Sequence, residues 1–396
     1  MRIAIFTEAY LPRINGVVTH IKLLKEGLEA RGHEVLIVTA DGDAQKHYVE
    51  NGVLHCPGIK LSKKLSGFET SVPVSRTRLN LVRDFKPDII HVETEFGMGL
   101  CGMTIAKMLR VPLVYTMHTM YDEYIYYIAP TPLVKVAKKL SHKYMKTFAN
   151  RANAITGPSE KCSEYLSSAG VKLPVNVIPN PVELDDFNPE HFDPEKKKAI
   201  REQFGIPQDA FVVVFVGRLG REKSIDLLID YWHKSVQPEE NMYLLIIGGG
   251  PEEEVLRKQI AELGCGDRVI MSGKVEHPDL PPYLLASDIY VTASLSDTNS
   301  ISMLEGMAAG LPVLQRRDPI NADQIRDGEN GWSFDSPQEM AELLRKFRDM
   351  PAEEKQQLKD STRQSIMNAG CTALADRTLH IYDLAANHKR NKKKKH

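Results

Sequence analysis

The feature that most constrains this chain is an alternation, run twice, of short apolar segments with longer amphipathic ones. In the first half, strand-like runs at residues 3–6, 34–39, 89–92, 111–116, 154–156 and 176–178 are separated by helical patterns at 17–31, 76–85, 99–109 and 159–169. A second set of strand-like runs follows at 211–217, 243–248, 268–272, 288–293 and 311–314, with helices between. Continuous apolar runs suit strands buried on both faces, and strand–helix alternation makes crossover connections, so each half predicts a parallel, doubly wound sheet. Residues 178–189, rich in prolines and acids, read as a linker. The expected fold class is α/β, with two Rossmann-like doubly wound domains facing across a cleft. We place them at 1–185 and 186–371, with a final helical stretch from about 372 whose segment 372–396 packs back on the first domain.

At 396 residues the chain exceeds one ordinary core, which agrees with two domains. No apolar run approaches the roughly 18 residues of a membrane-spanning helix. The N-terminus meets an acid at Glu8, too early for a signal peptide, and reads as a first strand. Cysteines at 56, 101, 162, 265 and 371 show no C-x-x-C spacing and are odd in number, which fits reduced thiols and a cytoplasmic location. The net charge of −1 conceals an asymmetry. Residues 124–159 hold Lys135, Lys138, Lys139, Lys143, Lys146 and Arg151 and no acid, and the tail adds Lys389, Arg390, Lys392, Lys393, Lys394 and Lys395. Local positive charge of this kind points to an anionic surface as partner; a chain otherwise acidic gives little support to nucleic acid.

Open α/β sheets bind ligands beyond the carboxyl ends of their strands, so the residues that follow each strand are the candidates. After the run at 288–293 comes Ser296-Asp297-Thr298-Asn299-Ser300-Ile301-Ser302-Met303-Leu304-Glu305. Asn299, Ser300 and Ile301 lie at a predicted helix start, where unpaired amides and the helix dipole favour phosphate. Asp297 and Glu305 are suited to sugar hydroxyls, although acids near helix starts also occur as simple caps. A phosphate-binding backbone beside hydroxyl-binding acids suggests a sugar-nucleotide site.

Gly217-Arg218-Leu219-Gly220-Arg221-Glu222-Lys223 follows another strand. Arg218 and Lys223 there are either a clamp for a diphosphate leaving group or a solvated basic loop. Gly248-Gly249-Gly250-Pro251-Glu252 allows close approach of a ligand or is a tight turn. In the first half, Gly16 opens a helix where a phosphate could approach. His118, just past a strand, is a donor to a sugar hydroxyl or to the acceptor, or a structural histidine. No G-x-G-x-x-G motif supports nicotinamide binding. No metal-ligand cluster is visible in the sequence, and no required metal or cofactor is expected.

Together these motifs resemble glycosyltransferase family 4, the retaining sugar-nucleotide transferases of GT-B fold. The resemblance spans nearly the whole chain. It is carried by Glu8-Ala9-Tyr10-Leu11-Pro12 with Asn15-Gly16-Val17-Val18, by Gly217-Arg218-Leu219 with Glu222-Lys223, by Gly248-Gly249-Gly250-Pro251-Glu252, and by the two-acid motif ending Glu305-Gly306-Met307-Ala308-Ala309-Gly310-Leu311-Pro312-Val313. It implies that Arg218 and Lys223 hold the donor diphosphate, with amides of Ser300 and Ile301. Glu305 would bind ribose hydroxyls, Asp297 the donor sugar, Gly16 the phosphates from beside, and His118 would lie near the reacting sugar. Gly217, Gly249 and Asn299 complete the implied donor site. The family usually has Glu at 297, glycine within 299–301, and an Asn-Gly turn where this chain has Asn180-Pro181. The first two departures bear on donor identity.

Within the family, Thr7-Glu8-Ala9-Tyr10-Leu11-Pro12, His118-Thr119 and Tyr121 look like bacterial enzymes that glucosylate diacylglycerol. The expected reaction moves a hexose, glucose from UDP-glucose in this reading, to a lipid acceptor on the inner face of the cell membrane. Leu133, Val136, Ala137, Leu140, Tyr144 and Phe148 recur at helical spacing, with Lys135, Lys138, Lys139, Lys143 and Lys146 mostly elsewhere on the wheel. Such a helix either binds an anionic membrane or packs its stripe internally. Assembly of an envelope polysaccharide or polyprenyl-linked glycan, epimerisation of a sugar nucleotide, and binding without turnover are the competing functions.

Overall fold

The computed structural model describes residues 1–60, 69–128 and 131–394, with side chains for all of these except 127, 128 and 391–394. Contacts divide the chain into two units, Met1–Pro181 with Gly370–His396, and Val182–Ala369. The boundary thus falls a few residues before the expected one.

In the first unit the strands are β1 (Arg2–Thr7), β2 (Glu34–Asp41), β3 (Tyr48–Glu50), β4 (Val53–Pro57), β5 (Ile59–Lys60), β6 (Glu69–Thr70), β7 (Ile89–Val92), β8 (Leu113–Thr116), β9 (Ala154–Gly157) and β10 (Val175–Val177). The main sheet runs β10-β9-β8-β7-β1-β2-β4-β3, parallel except where β3 meets β4. β5 and β6 pair separately. Ile3, Ala4, Ile5 and Phe6 of β1 are wholly buried, as strands covered by helices on both faces must be. β3 and β4 escaped the sequence reading, yet their turn carries a strong hairpin signal. Asn51 and Gly52 have φ of 48° and 75°, the left-handed pair that a two-residue hairpin turn needs.

The second unit contains β11 (Phe211–Val216), β12 (Met242–Ile247), β13 (Val269–Gly273), β14 (Ile289–Thr292), β15 (Val313–Arg316) and β16 (Gly331–Phe334). Their order, β13-β12-β11-β14-β15-β16, is that of a Rossmann sheet, with all neighbours parallel. Strand order reverses between β11 and β14. The corresponding reversal in the first unit lies between β1 and β7. These two switch points are where open sheets leave a crevice for ligands.

Residues 178–189 are not a free linker. Ile178, Val182 and Phe187 are all buried, so the segment is packed along its length. The last helix, Cys371–Lys394, belongs to the first unit and outruns the expected stretch. Leu374, Ala375, Ile381, Tyr382 and Ala385 join Val18, Ile21, Leu24 and Leu28 of helix Gly16–Ala30 in one core. Gly27 permits the approach: a Cβ there would stand 2.2 Å from the Cys371 carbonyl oxygen. Arg31 holds Asp376 through two hydrogen bonds of 2.7 and 2.6 Å at the rim. In the tail, Lys395 lies outside the described residues, as do the side chains of Lys392 to Lys394.

Candidate active site

At the second unit's switch point, the segments that follow β11 and β14 are tied to each other. The carbonyl of Val216 accepts hydrogen bonds from Tyr290 Oη at 3.0 Å and Ser302 Oγ at 2.9 Å. The Glu222 carbonyl accepts from Ser294 Oγ and Ser296 Oγ at 3.3 and 2.8 Å. These bonds bring Lys223 Nζ onto Asp297 Oδ1 in a half-buried ion pair. Asn321 Nδ2 fixes the turn from below, donating to the carbonyls of Asp297 at 3.1 Å and Thr298 at 3.2 Å. Asn299 is buried, whereas Arg218 on the same rim is exposed.

Ser300 caps helix Ile301–Ala308, its Oγ accepting from the Met303 amide. That leaves the amides of the first helical residues facing the crevice end of the sheet, a setting favourable to anions. Gly217 follows β11 directly. Its carbonyl explains Gly248, which has φ of +144° and whose Cβ would stand 1.9 Å from Gly217 O. At Gly249 a Cβ would meet only ordinary contacts, so internal packing does not require glycine there.

Glu305, on the same helix, is buried and accepts from His277 Nε2 at 2.8 Å. Burial raises its pKa, and the hydrogen bond from His277 opposes that rise. Glu183 stands 3.7 Å from the other ring nitrogen. His277 was missed by sequence reasoning, because nothing local marks a histidine 28 residues upstream as the partner of Glu305.

The first unit's switch point is built from different chemistry. Glu8, after β1, accepts from the Met98 amide at 2.6 Å and from Thr94 Oγ1. Glu93, after β7, is buried, and its Oε2 lies 2.6 Å from His118 Nε2, after β8. His20, one turn inside helix Gly16–Ala30, meets the His118 ring edge-on with centroids 4.8 Å apart, and its Nδ1 lies 3.1 Å from Asn180 Oδ1. Burial pushes the imidazoles of His20, His91 and His118 down to about 4. Gly16 itself is exposed at the helix start, which Asn15 caps by accepting from Val18 N at 3.0 Å.

Ligand atoms of His20, Glu93 and His118 all lie within 4.8 Å of one another, a two-histidine, one-carboxylate donor set able to hold a metal ion. The 2.6 Å contact between His118 and Glu93 is shorter than the roughly 3.3 Å between two ligands of a tetrahedral zinc ion, and matches a hydrogen bond.

Over most of its length the chain, with a basic rim and a helix start in one sheet and a histidine–carboxylate cluster in the other, is similar to known proteins. Residues 14–186 match the family described as Glycosyltransferase Family 4, and residues 196–365 match Glycosyl transferases group 1. An alpha-monoglucosyldiacylglycerol synthase of Acholeplasma laidlawii is 33% identical, covering 89% of this chain and 89% of its own length. A protein of the same name from Streptococcus pneumoniae is 30% identical, covering 83% of this chain and 74% of its own. The chain belongs to glycosyltransferase family 4. The Anabaena HepE protein, solved in complex with UDP, superposes with a TM-score of 0.72 over 96% of this chain and 99% of its own at 17% identity, a likeness of fold. The architecture is GT-B, and the protein is a nucleotide-sugar-dependent hexosyltransferase.

In this glycosyltransferase the basic segment forms helix Val134–Ala149. Met145, Phe148 and Ala149 at its C-terminal end are buried, but the stripe ahead of them is not. Leu133, Val136, Leu140 and Tyr144 are 53, 56, 62 and 38% exposed, and Lys135, Lys139, Lys143 and Lys146 are exposed beside them. Lys138 is half-buried, 3.8 Å from Asp122. Tyr144 Oη donates to the Glu95 carbonyl, and Tyr115 donates to the Glu95 carboxylate at 2.6 Å. Burial holds that carboxyl at about 7. No described helix is long and apolar enough to cross a membrane.

Proposed function

We propose that the protein transfers glucose, with retention, from UDP-glucose to diacylglycerol in an anionic membrane surface. The observation that carries the lipid acceptor is the row Leu133, Val136, Leu140 and Tyr144, left open on a helix edged with lysines. A packed helix hides such a row; an interfacial one inserts it among acyl chains while its lysines meet anionic headgroups. The two relatives named for monoglucosyldiacylglycerol synthesis supply the sugar and the acceptor class.

In this reading the donor diphosphate takes the place of Asp297 on Lys223, with Arg218 and the amides that open helix Ile301–Ala308 completing the clamp. Glu305, steadied by His277, receives the ribose hydroxyls. The bond from sugar C1 to the diphosphate oxygen breaks, and charge collects on the departing phosphate. Preorganised cations and amides stabilise it most where that charge is greatest, which is the main source of rate. The acceptor hydroxyl oxygen bonds to C1 on the same face, and its proton passes to the departing phosphate oxygen. Asp297 then faces the donor sugar, and His118 faces a hydroxyl of that sugar which does not react. No required metal enters this scheme.

The test is turnover of purified protein with UDP-glucose, UDP-galactose, UDP-GlcNAc or GDP-mannose, with and without diacylglycerol in anionic vesicles. Labelled lipid formed from UDP-glucose only with vesicles is the expected result. Nucleotide release without labelled lipid moves the acceptor to another glycan, and binding without turnover overturns the proposal.

A further inference from the structure

We propose that Glu93 is a positioning residue that fixes the tautomer of His118, so that His118 meets its substrate through Nδ1 as a hydrogen-bond acceptor. The inference rests on the reading that His118 faces a hydroxyl of the reacting sugar. The side chain of Glu93 has no solvent exposure, and its Oε2 lies 2.6 Å from His118 Nε2. A carboxylate accepts and does not donate, so the proton in that contact sits on Nε2. A neutral imidazole carries one N–H, which leaves a lone pair on Nδ1.

Everything around Glu93 supports its role as the fixed member. Its other oxygen, Oε1, makes no hydrogen bond and stands 3.4 Å from His91 Nε2. His91 is itself held, by Thr116 Oγ1 at 2.6 Å on one nitrogen and by Tyr382 Oη at 2.9 Å on the other. Tyr382 comes from the C-terminal helix, so the chain's last element braces the residue beside Glu93. His20, held by Asn180, packs edge-on against the His118 ring and limits its rotation. The titratable groups that face His118 are therefore His20, His91 and Glu93, with Tyr382 behind them. A buried carboxylate orienting an imidazole is the device by which hydrolytic triads keep the working nitrogen unprotonated. It also inverts the expectation that His118 donates to the substrate.

The experiment uses the full chain with 15N-labelled histidine, the His118 signals being assigned from their loss in His118→Gln. At neutral pH, a protonated Nε2 and an unprotonated Nδ1 are expected in the wild type. Glu93→Gln can turn its amide N–H toward Nε2, and it should shift His118 to the Nδ1–H form. The same variant should lower kcat by at least about 10²-fold with the donor KM unchanged, as loss of the correct tautomer does elsewhere. Glu93→Asp, which keeps the carboxylate, should recover part of the rate. Melting curves of both variants check that the fold is kept. A wild-type His118 protonated on Nδ1, or a Glu93→Gln enzyme of unchanged kcat, overturns the proposal. If no donor and acceptor pair turns over, the functional reading fails while the nitrogen shifts still decide the tautomer.

Discussion

The two units solve the same topology with opposite chemistry at their switch points. In the second unit, the segments after β11 and β14 carry Lys223 and Asp297, a half-buried ion pair beside a helix start. In the first, β1 and β7 end in Glu8 and Glu93, carboxylates buried among threonine, histidine and backbone donors. A rim with a partly exposed cation and a helix start suits an anion that arrives and leaves. A buried cluster of neutral imidazoles and acids suits hydroxyls, which need directional acceptors and no charge neutralisation. Two sheets of related topology thus present opposite chemistry through the residues that follow two strands, with little change to the sheet itself.

The comparison is broken most directly at Lys223. Lys223→Ala should lower kcat/KM by about 10²–10³, the effect of losing one oxyanion donor. Unchanged kinetics would mean that the ion pair with Asp297 is structural and the second switch point is not built for anions.

Acidification tests the first switch point. Burial lowers His20, His91 and His118 from 6.5 to about 4. The unfolded chain therefore takes up these protons first, and the stability present above pH 6.5 is lost as the pH falls toward 4. Glu95, raised from 4.5 to about 7, and Glu8, raised by burial, act in the opposite sense in that window, two carboxyls against the three imidazoles. The first unit should lose a few kcal/mol (on the order of one pKa unit per 1.4 kcal/mol) between those limits. Hydrogen exchange resolved by unit should show the first opening earlier than the second as pH falls. Equal acid sensitivity of the two units would remove the contrast.

A smaller effect is expected at Gly27→Val, whose side chain must displace the Cys371 carbonyl. Overpacking of this kind costs about 1–3 kcal/mol, read as a lower melting temperature of the first unit with the second unaffected. The smallest expected effect is at the lysine edge. Lys139→Glu with Lys143→Glu should weaken binding to anionic vesicles by about 1 kcal/mol or more for each site, with binding to neutral vesicles unaltered. Co-sedimentation across lipid compositions measures this.

Much of the fold was legible because strand and helix periodicities are local. Runs such as 89–92 and 289–293 announced buried parallel strands, and the motif that ends in Glu305 announced a turn from strand into helix. The Asn51-Gly52 hairpin was equally legible in principle, since its signal is a dipeptide. β16 was not, because four residues with a glycine and a serine carry no periodicity to distinguish them. Among site residues, the basic rim and Asp297 followed from position after a strand. Glu93 did not: it reads as one acid of a short acidic run until β8 brings His118 beside it.

The sequence by itself determined two doubly wound sheets, which loops follow which strands, and a helix with an apolar stripe among lysines. Those properties depend on residues within a turn or two of one another. Only the tertiary structure decided that His20, Glu93 and His118 converge, that His277 holds Glu305, that the C-terminal helix braces His91 through Tyr382, and that Leu133, Val136 and Leu140 stay uncovered. Periodicity says that a face is apolar or that a residue ends a strand. Which distant side chain meets it, or whether any does, is set by strand order and helix packing over the whole unit.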